Sequence, residues 1–138
     1  MERDVANETG FRALAAWQKA QNFAAQTVIL VRDIPGDRAS ETMGLQLLRA
    51  SASVSANIAE GFGRFSAGAY RNHLSIARGS PFEAESWIDL LHKTGYVDID
   101  KAATLINECH EIGKLLTSMM RSLPAGNAIR EEGPEYAF

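Results

Sequence analysis

This chain of 138 residues has one cysteine, no long apolar run and no signature of a familiar catalytic centre. Cys109 lacks a second thiol, so an internal disulfide is excluded, and its place between apolar helix positions reads as a small core residue. Apolar residues make up 46% of the sequence but recur at short intervals instead of pooling, which argues against a membrane-spanning stretch. The segment from Met1 to Trp17 has acidic residues near its front and no apolar core followed by a cleavage pattern. No secretory leader is expected, and the expected location is the cytoplasm.

Catalytic motifs are missing as well. There is no GxxxxGK loop followed by Ser or Thr to cradle phosphates, and no GxSxG elbow. A di-metal carboxylate bundle needs two Glu-x-x-His pairs, whereas here Asp89 and His92 share that spacing once only. His73, His92 and His110 lie on separate stretches without zinc-like spacing. Ser80 follows a glycine but has no suitably placed base. The expectation is a protein that is not an enzyme and holds neither a cofactor nor a metal.

What is present is helical periodicity. At this length one domain can bury its own core, and apolar residues fall at three- and four-residue steps in four segments. The first stripe is Leu14, Trp17, Ala24, Val28 and Val31, ended by Ile34-Pro35-Gly36-Asp37. The second runs from about Arg38 to Gly63 with Leu45, Leu48, Ala52, Ser55, Ala59 and Phe62 in register. Ser66 is placed to cap a third helix carrying Tyr70, Leu74, Ala77, Ala84, Ile88 and Leu91 and ending at Thr94-Gly95. Pro81 lies inside it, so a kink or break is expected near Gly79-Ser80-Pro81. Asp98 or Asp100 can cap the fourth helix, with Ala102, Leu105, Cys109, Ile112, Leu116, Met119 and Leu123 in almost unbroken alternation. Short connections then favour an all-α, antiparallel up-down-up-down four-helix bundle over residues 1–124, with a mobile tail over residues 125–138.

Charge is distributed unevenly. The formal net charge is -3, yet Arg38, Arg49, Arg64, Arg71 and Arg78 face only Glu41 and Glu60 between residues 38 and 78. Two readings follow. In one, Arg49, Asn57 and Glu60 form an interhelical polar network on the second helix, with an Arg49–Glu83 bridge and Gly79 packed opposite Ser51 and Ala52. In the other, Arg64, Arg71 and Arg78 present charge to the phosphates of RNA or DNA, although the heptad stripe Arg71, Arg78, Glu85, His92 turns acidic partway along. Aromatic residues outside the core stripes, Trp17, Phe23, Phe82 or Trp87, are candidates for subunit contacts, with Phe82 and Trp87 the best of them.

Phe11 through Trp17, Gly44-Leu45-Gln46, Arg49-Ala50, the run SVSANIAEG from Ser53 to Gly61, Arg64, and IARGS from Ile76 to Ser80 with Glu83 carry a resemblance. Together they resemble the four-helix-bundle family called S23 or 23S rRNA intervening-sequence proteins. The resemblance covers nearly the whole chain before the tail. It implies a bundle assembled as a homopentameric ring, and the genetic setting of some members suggests RNA association. The family is also similar to the accessory variability protein of diversity-generating retroelements, a basic pentamer that binds nucleic acid and a reverse transcriptase. The expected function is a homo-oligomeric accessory protein associated with RNA or ribonucleoprotein. The alternative is a self-assembling scaffold that recruits a protein partner and binds no nucleic acid.

Overall fold

The computed structural model describes residues 9–125. A 3-10 turn over Gly10–Ala13 leads into α1 (Ala15–Asp33), α2 (Arg38–Phe62), α3 (Ala67–Lys93) and α4 (Ile99–Ser122). Each boundary has a local cause. Asp37 and Ser40 form a reciprocal capping box at the start of α2: the Ser40 amide donates to Asp37 Oδ1 at 2.7 Å and the Asp37 amide to Ser40 Oγ at 3.0 Å. Ser66 accepts from the Ala69 amide and caps α3, and Asp98, not Asp100, accepts from the Lys101 amide and caps α4. After α3 the chain reverses at Gly95 with φ +88°, where the Tyr96 amide reaches back to the Leu91 carbonyl. Only glycine enters that left-handed region at no steric cost.

Of the kink or break expected at Gly79-Ser80-Pro81, the break does not occur: α3 is one helix from Ala67 to Lys93. Pro81 is buried on the same stripe as Leu74, Ala77, Ala84 and Ile88. Burial of that stripe on both sides of the proline offsets the roughly 3 kcal/mol that an interior proline costs a helix.

Sequence neighbours are spatial neighbours and run antiparallel. Ser55 Oγ donates to Gln21 on α1 at 2.7 Å, His73 on α3 meets Asn57 on α2 at 3.2 Å, and Arg78 on α3 donates to Thr117 on α4 at 2.7 Å. The bundle closes where Lys19 pairs with Glu111, and where Gln26 donates to Glu108 at 3.3 Å. The pairing of α2 with α3 is the most extensive and that of α1 with α4 the slightest. This is the four-helix up-down-up-down bundle expected from the periodicity. No described helix is long and apolar enough to cross a membrane. Residues 126–138, all but the first residue of the expected tail, lie outside the described residues.

The stripes of α3 and α4 are buried as expected at every position. Those of α1 and α2 need correction. The core face of α1 is Ala16, Ala20, Phe23 and Thr27, with Leu14 just before the helix, while Val28 is 47% exposed. The core face of α2 is Leu47, Ala50, Ser51, Val54, Ser55 and Ile58, while Leu45 is 50% exposed and Ala52 is exposed. Each of these helices carries two apolar stripes, and periodicity alone does not say which one faces inward. Phe23, a candidate for subunit contact, is fully buried for the same reason.

Gly79 is likewise not the close-packing glycine, since a Cβ there would meet nothing within 4 Å. That role falls to Gly61, where a Cβ would lie 2.8 Å from His73 Cβ and 3.0 Å from Tyr70 Cδ1. Gly61 thus packs inside α2, which ends one residue later and is capped by Gly63.

Two outcomes follow from these contacts. Gly61→Ala is expected to destabilise the fold by about 1–3 kcal/mol in chemical denaturation, since overpacking outweighs the gain in helix propensity. Gly79→Ala, facing open space, is expected to stabilise it by up to about 1 kcal/mol. Equal effects would show that α3 yields to the added methyl group.

The Asp37 carboxyl lies below its ordinary value of 3.8, held there first by the Ser40 amide and then by the Tyr96 hydroxyl, which donates at 2.6 Å. A depressed folded-state value stabilises the fold above the ordinary carboxylate range, and this stabilisation is lost as pH falls through the folded value. The melting temperature of the parent should therefore exceed that of Asp37→Asn at neutral pH, with the gap closing as pH falls below that range.

Candidate functional site

Three surface features emerge from the packing. The first is a polar cluster where α2 meets α3. Arg64 Nη2 bonds Glu60 at 2.8 Å, the i, i+4 pair that the sequence suggests, and Arg64 Nε donates to His73 Nε2 at 3.1 Å. With Nε2 accepting, the imidazole proton resides on Nδ1, which faces Asn57 Oδ1 at 3.2 Å. Asn57 Nδ2 in turn donates to the Ser53 carbonyl and hydroxyl, and Ser53 Oγ accepts from Ser80. Asn57 and Glu60 thus meet through His73 and Arg64.

Arg49 does not join this network, and among the described residues no Arg49–Glu83 bridge forms. Arg49 is exposed, and the Glu83 carboxylate accepts the Trp87 indole N–H at 3.1 Å, one helical turn away. Trp87 is half-buried against the core, whereas Phe82 is 55% exposed.

The second feature lies between α3 and α4. The heptad stripe Arg71, Arg78, Glu85, His92 is the polar seam of this helix pair. Arg71 donates to the carbonyls of Leu123 and Pro124 at the end of α4, and Arg78 Nε donates to Thr117. Glu85 accepts from or pairs with His110 at 2.7 Å, and His92 Nδ1 lies 2.9 Å from the Val97 carbonyl. Of the three arginines read as phosphate contacts, Arg64 and Arg71 are therefore engaged within the subunit. Arg78 borders a cleft of about 580 Å³, together with Lys114 and Arg121 of α4. Its guanidinium also lies 5.5 Å from the centroid of the Phe82 ring. Lys114 and Arg121 were missed by sequence reasoning because they stand on the acidic half of the chain; their seven-residue spacing was the available signal.

Cys109 sits beneath this cleft, 2% exposed. Burial, and next the carboxylates of Glu85 and Glu108, push its thiol up to about 12, so it stays protonated at neutral pH and behaves as core. Among the described residues no group of three or more His, Cys, Asp or Glu is arranged to hold a metal ion.

The third feature is a shallow apolar groove of about 530 Å³ on the outer side of α1 and α2. Phe11, Trp17, Val28, Ala52, Ala56 and Ala59 line it. Phe11 and Trp17 meet edge to face with centroids 5.1 Å apart, and Arg12 lies 5.4 Å from each ring. This groove holds much of the apolar material that the sequence pattern assigns to the core.

Comparison with known proteins places this geometry. A family model described as 23S rRNA-intervening sequence protein matches residues 12–118. The chain belongs to this family. A solved structure of a protein of unknown function from the S23 ribosomal protein family of Bacteroides thetaiotaomicron is 30% identical, covering 78% of this chain and 100% of its own, with a TM-score of 0.73. No curated protein matches the chain significantly. The positions that carry the resemblance to 23S rRNA-intervening sequence proteins have structural work here. Ser53, Asn57, Glu60 and Gly61 form the α2 side of the α2–α3 contact, and Phe11 through Trp17 form the aromatic start of α1.

Proposed function

We propose that this 23S rRNA-intervening sequence protein is a non-enzymatic, homo-oligomeric accessory protein that associates with RNA in the cytoplasm. The observation that carries the reading is the convergence of Arg78, Lys114 and Arg121 on one cleft, where Glu85 is the only carboxylate in the lining and is already engaged with His110. A net negative chain that gathers cations at a concave surface favours an anionic partner there. Arg64 and Arg71 serve the fold in this reading, so the phosphate-contacting set becomes Arg78, Lys114 and Arg121.

Assembly is assigned to the groove on α1 and α2, ahead of Phe82 and Trp87. Its alanines let another helix approach closely, and its polar members Gln21 and Ser55 already satisfy each other. A second copy of the chain as occupant accords with the homopentamer that the family resemblance implies. A ring would also multiply weak cationic clefts through raised effective concentration.

Filter retention of labelled RNA tests the first part. Three phosphate contacts predict a log–log salt slope of about −2 for single strands. Arg78→Glu with Arg121→Glu should abolish retention at physiological salt, while Arg64→Glu should lower the melting temperature and leave retention in place. Salt-independent retention, or loss only with Arg64→Glu, would refute the assignment. Light scattering tests the second part: the parent should have a multiple of the 15.0 kDa subunit mass, and Val28→Glu with Ala56→Glu should yield helical monomers. A monomeric parent would sink it.

A further inference from the structure

We infer that the α3–α4 cleft takes unpaired nucleotides, with a base stacked on the Phe82 ring and the phosphates of the same strand held by Arg78, Lys114 and Arg121. The inference rests on the RNA-associated reading and specifies the form of RNA that fits.

The cleft has an apolar floor and a cationic edge. Pro81, Phe82 and Gly113 supply the floor; Arg78, Lys114 and Arg121 supply the charge; Thr117, Ser118 and Ser122 add hydroxyls. Its volume of about 580 Å³ lies within the range of about 300–1,000 Å³ typical of sites that enclose small ligands. The platform is fixed before any ligand arrives. Arg78 Nε is tied to Thr117 at 2.7 Å across the cleft, and its guanidinium stands over Phe82, so a flat cation and a flat ring are held together without ordering on binding. At the other end His110 and Glu85 lie 2.7 Å apart, so the carboxylate is engaged within the subunit.

A helix-sided slot with this lining discriminates between nucleic-acid forms. A duplex keeps its bases stacked inside and presents phosphates on a convex surface, so it could reach the cationic edge but offers no free base face to the exposed Phe82 ring. An unpaired strand exposes its base faces and suits an aromatic platform flanked by cations. Lys114 and Arg121 are seven residues apart, about 10 Å along the helix, a spacing that serves separate phosphates of an extended strand. An acidic peptide would satisfy the charges but would not need the flat platform.

Gly113 provides the decisive variant. A Cβ there meets nothing within 4 Å, so Gly113→Leu projects into empty cleft, exchanges a poor helix former for a good one and changes no charge. Phe82→Ala removes the ring from an exposed position, again without changing charge. Binding of a fluorescein-labelled oligouridylate of about ten nucleotides, a length within the usual span of single-strand sites, should weaken about tenfold or more in each variant. The salt slope should remain unchanged, and a duplex of the same length should bind the parent more weakly and ignore both substitutions. Far-UV circular dichroism and melting temperature check that each variant is folded. Undiminished binding by both variants, or preference of the parent for duplex, would overturn the cleft assignment while leaving RNA association standing. Failure of the parent to bind any nucleic acid would remove both, and tighter binding of a polyglutamate peptide than of the oligonucleotide would assign the cleft to an acidic protein partner instead.

Discussion

The approach of α2 to α3 at Gly61 sets the geometry of the rest of the molecule. A missing side chain there lets Tyr70 and His73 come within van der Waals reach of the α2 backbone. Once that contact is made, the register of the two helices is fixed. Asn57 then stands beside His73, and Ser53 stands beside Ser80. The polar cluster cannot slide by a helical turn without parting His73 from Asn57 and Ser80 from Ser53, and broken hydrogen bonds at a half-buried seam are costly. Close packing and polar pairing are thus two expressions of one register, the first supplying attraction and the second specificity.

The register of α3 carries through to α4. The stripe Arg71, Arg78, Glu85, His92 advances seven residues at a time, so each member returns to the same face, and α3 runs unbroken through Pro81 to keep them aligned. All four are drawn toward α4 or its connections. Had Pro81 broken the helix, Arg71 and Arg78 would have lost their common direction with Glu85 and His92. The buried proline ring is accommodated in the core, and the continuous helix in turn gives the cleft an unbroken wall.

Much of this fold can be read from residue order. Ser66 and Asp98 stand where caps are needed, and the longest three-four apolar stripe of α3 and of α4 is the one that is buried. The polar pairs Glu60–Arg64 and Asn57–His73 are legible too, because spacing along one helix and folding about one turn suffice to place them. The orientation of α1 and α2 is not legible in the same way. Val28 and Thr27 are neighbours in sequence, and the hydrophobic one faces outward while the hydroxyl-bearing one is buried, its Oγ1 donating to the Ala24 carbonyl at 2.8 Å. A threonine that satisfies its hydroxyl within its own helix packs like valine, and no pattern of apolarity reveals it. The cleft was legible only in part for a related reason: Arg78 was visible, but Lys114 and Arg121 meet it only after α4 folds back.

The asymmetry between the two helix pairs carries the functional argument. α3 and α4 share one continuous buried stripe and leave a polar seam with a charged cleft beside it, with Ile76, Phe82, Leu90 and Ile99 exposed outside that stripe. α1 and α2 have a second apolar face, lined by Phe11, Trp17, Val28 and alanines, of which Phe11 and Trp17 pack partly against the core while Val28, Ala52 and Ala56 are exposed. A second face on α1 and α2 does little for the stability of one subunit, because apolar groups left in water contribute nothing to folding. They become favourable only when another surface covers them. If the covering surface belongs to another copy, subunits join through the α1–α2 half, and the cleft on the opposite pair is left facing solvent. In the proposed reading, recognition and assembly occupy different sides of the bundle, joined by the α2–α3 contact whose register Gly61 defines.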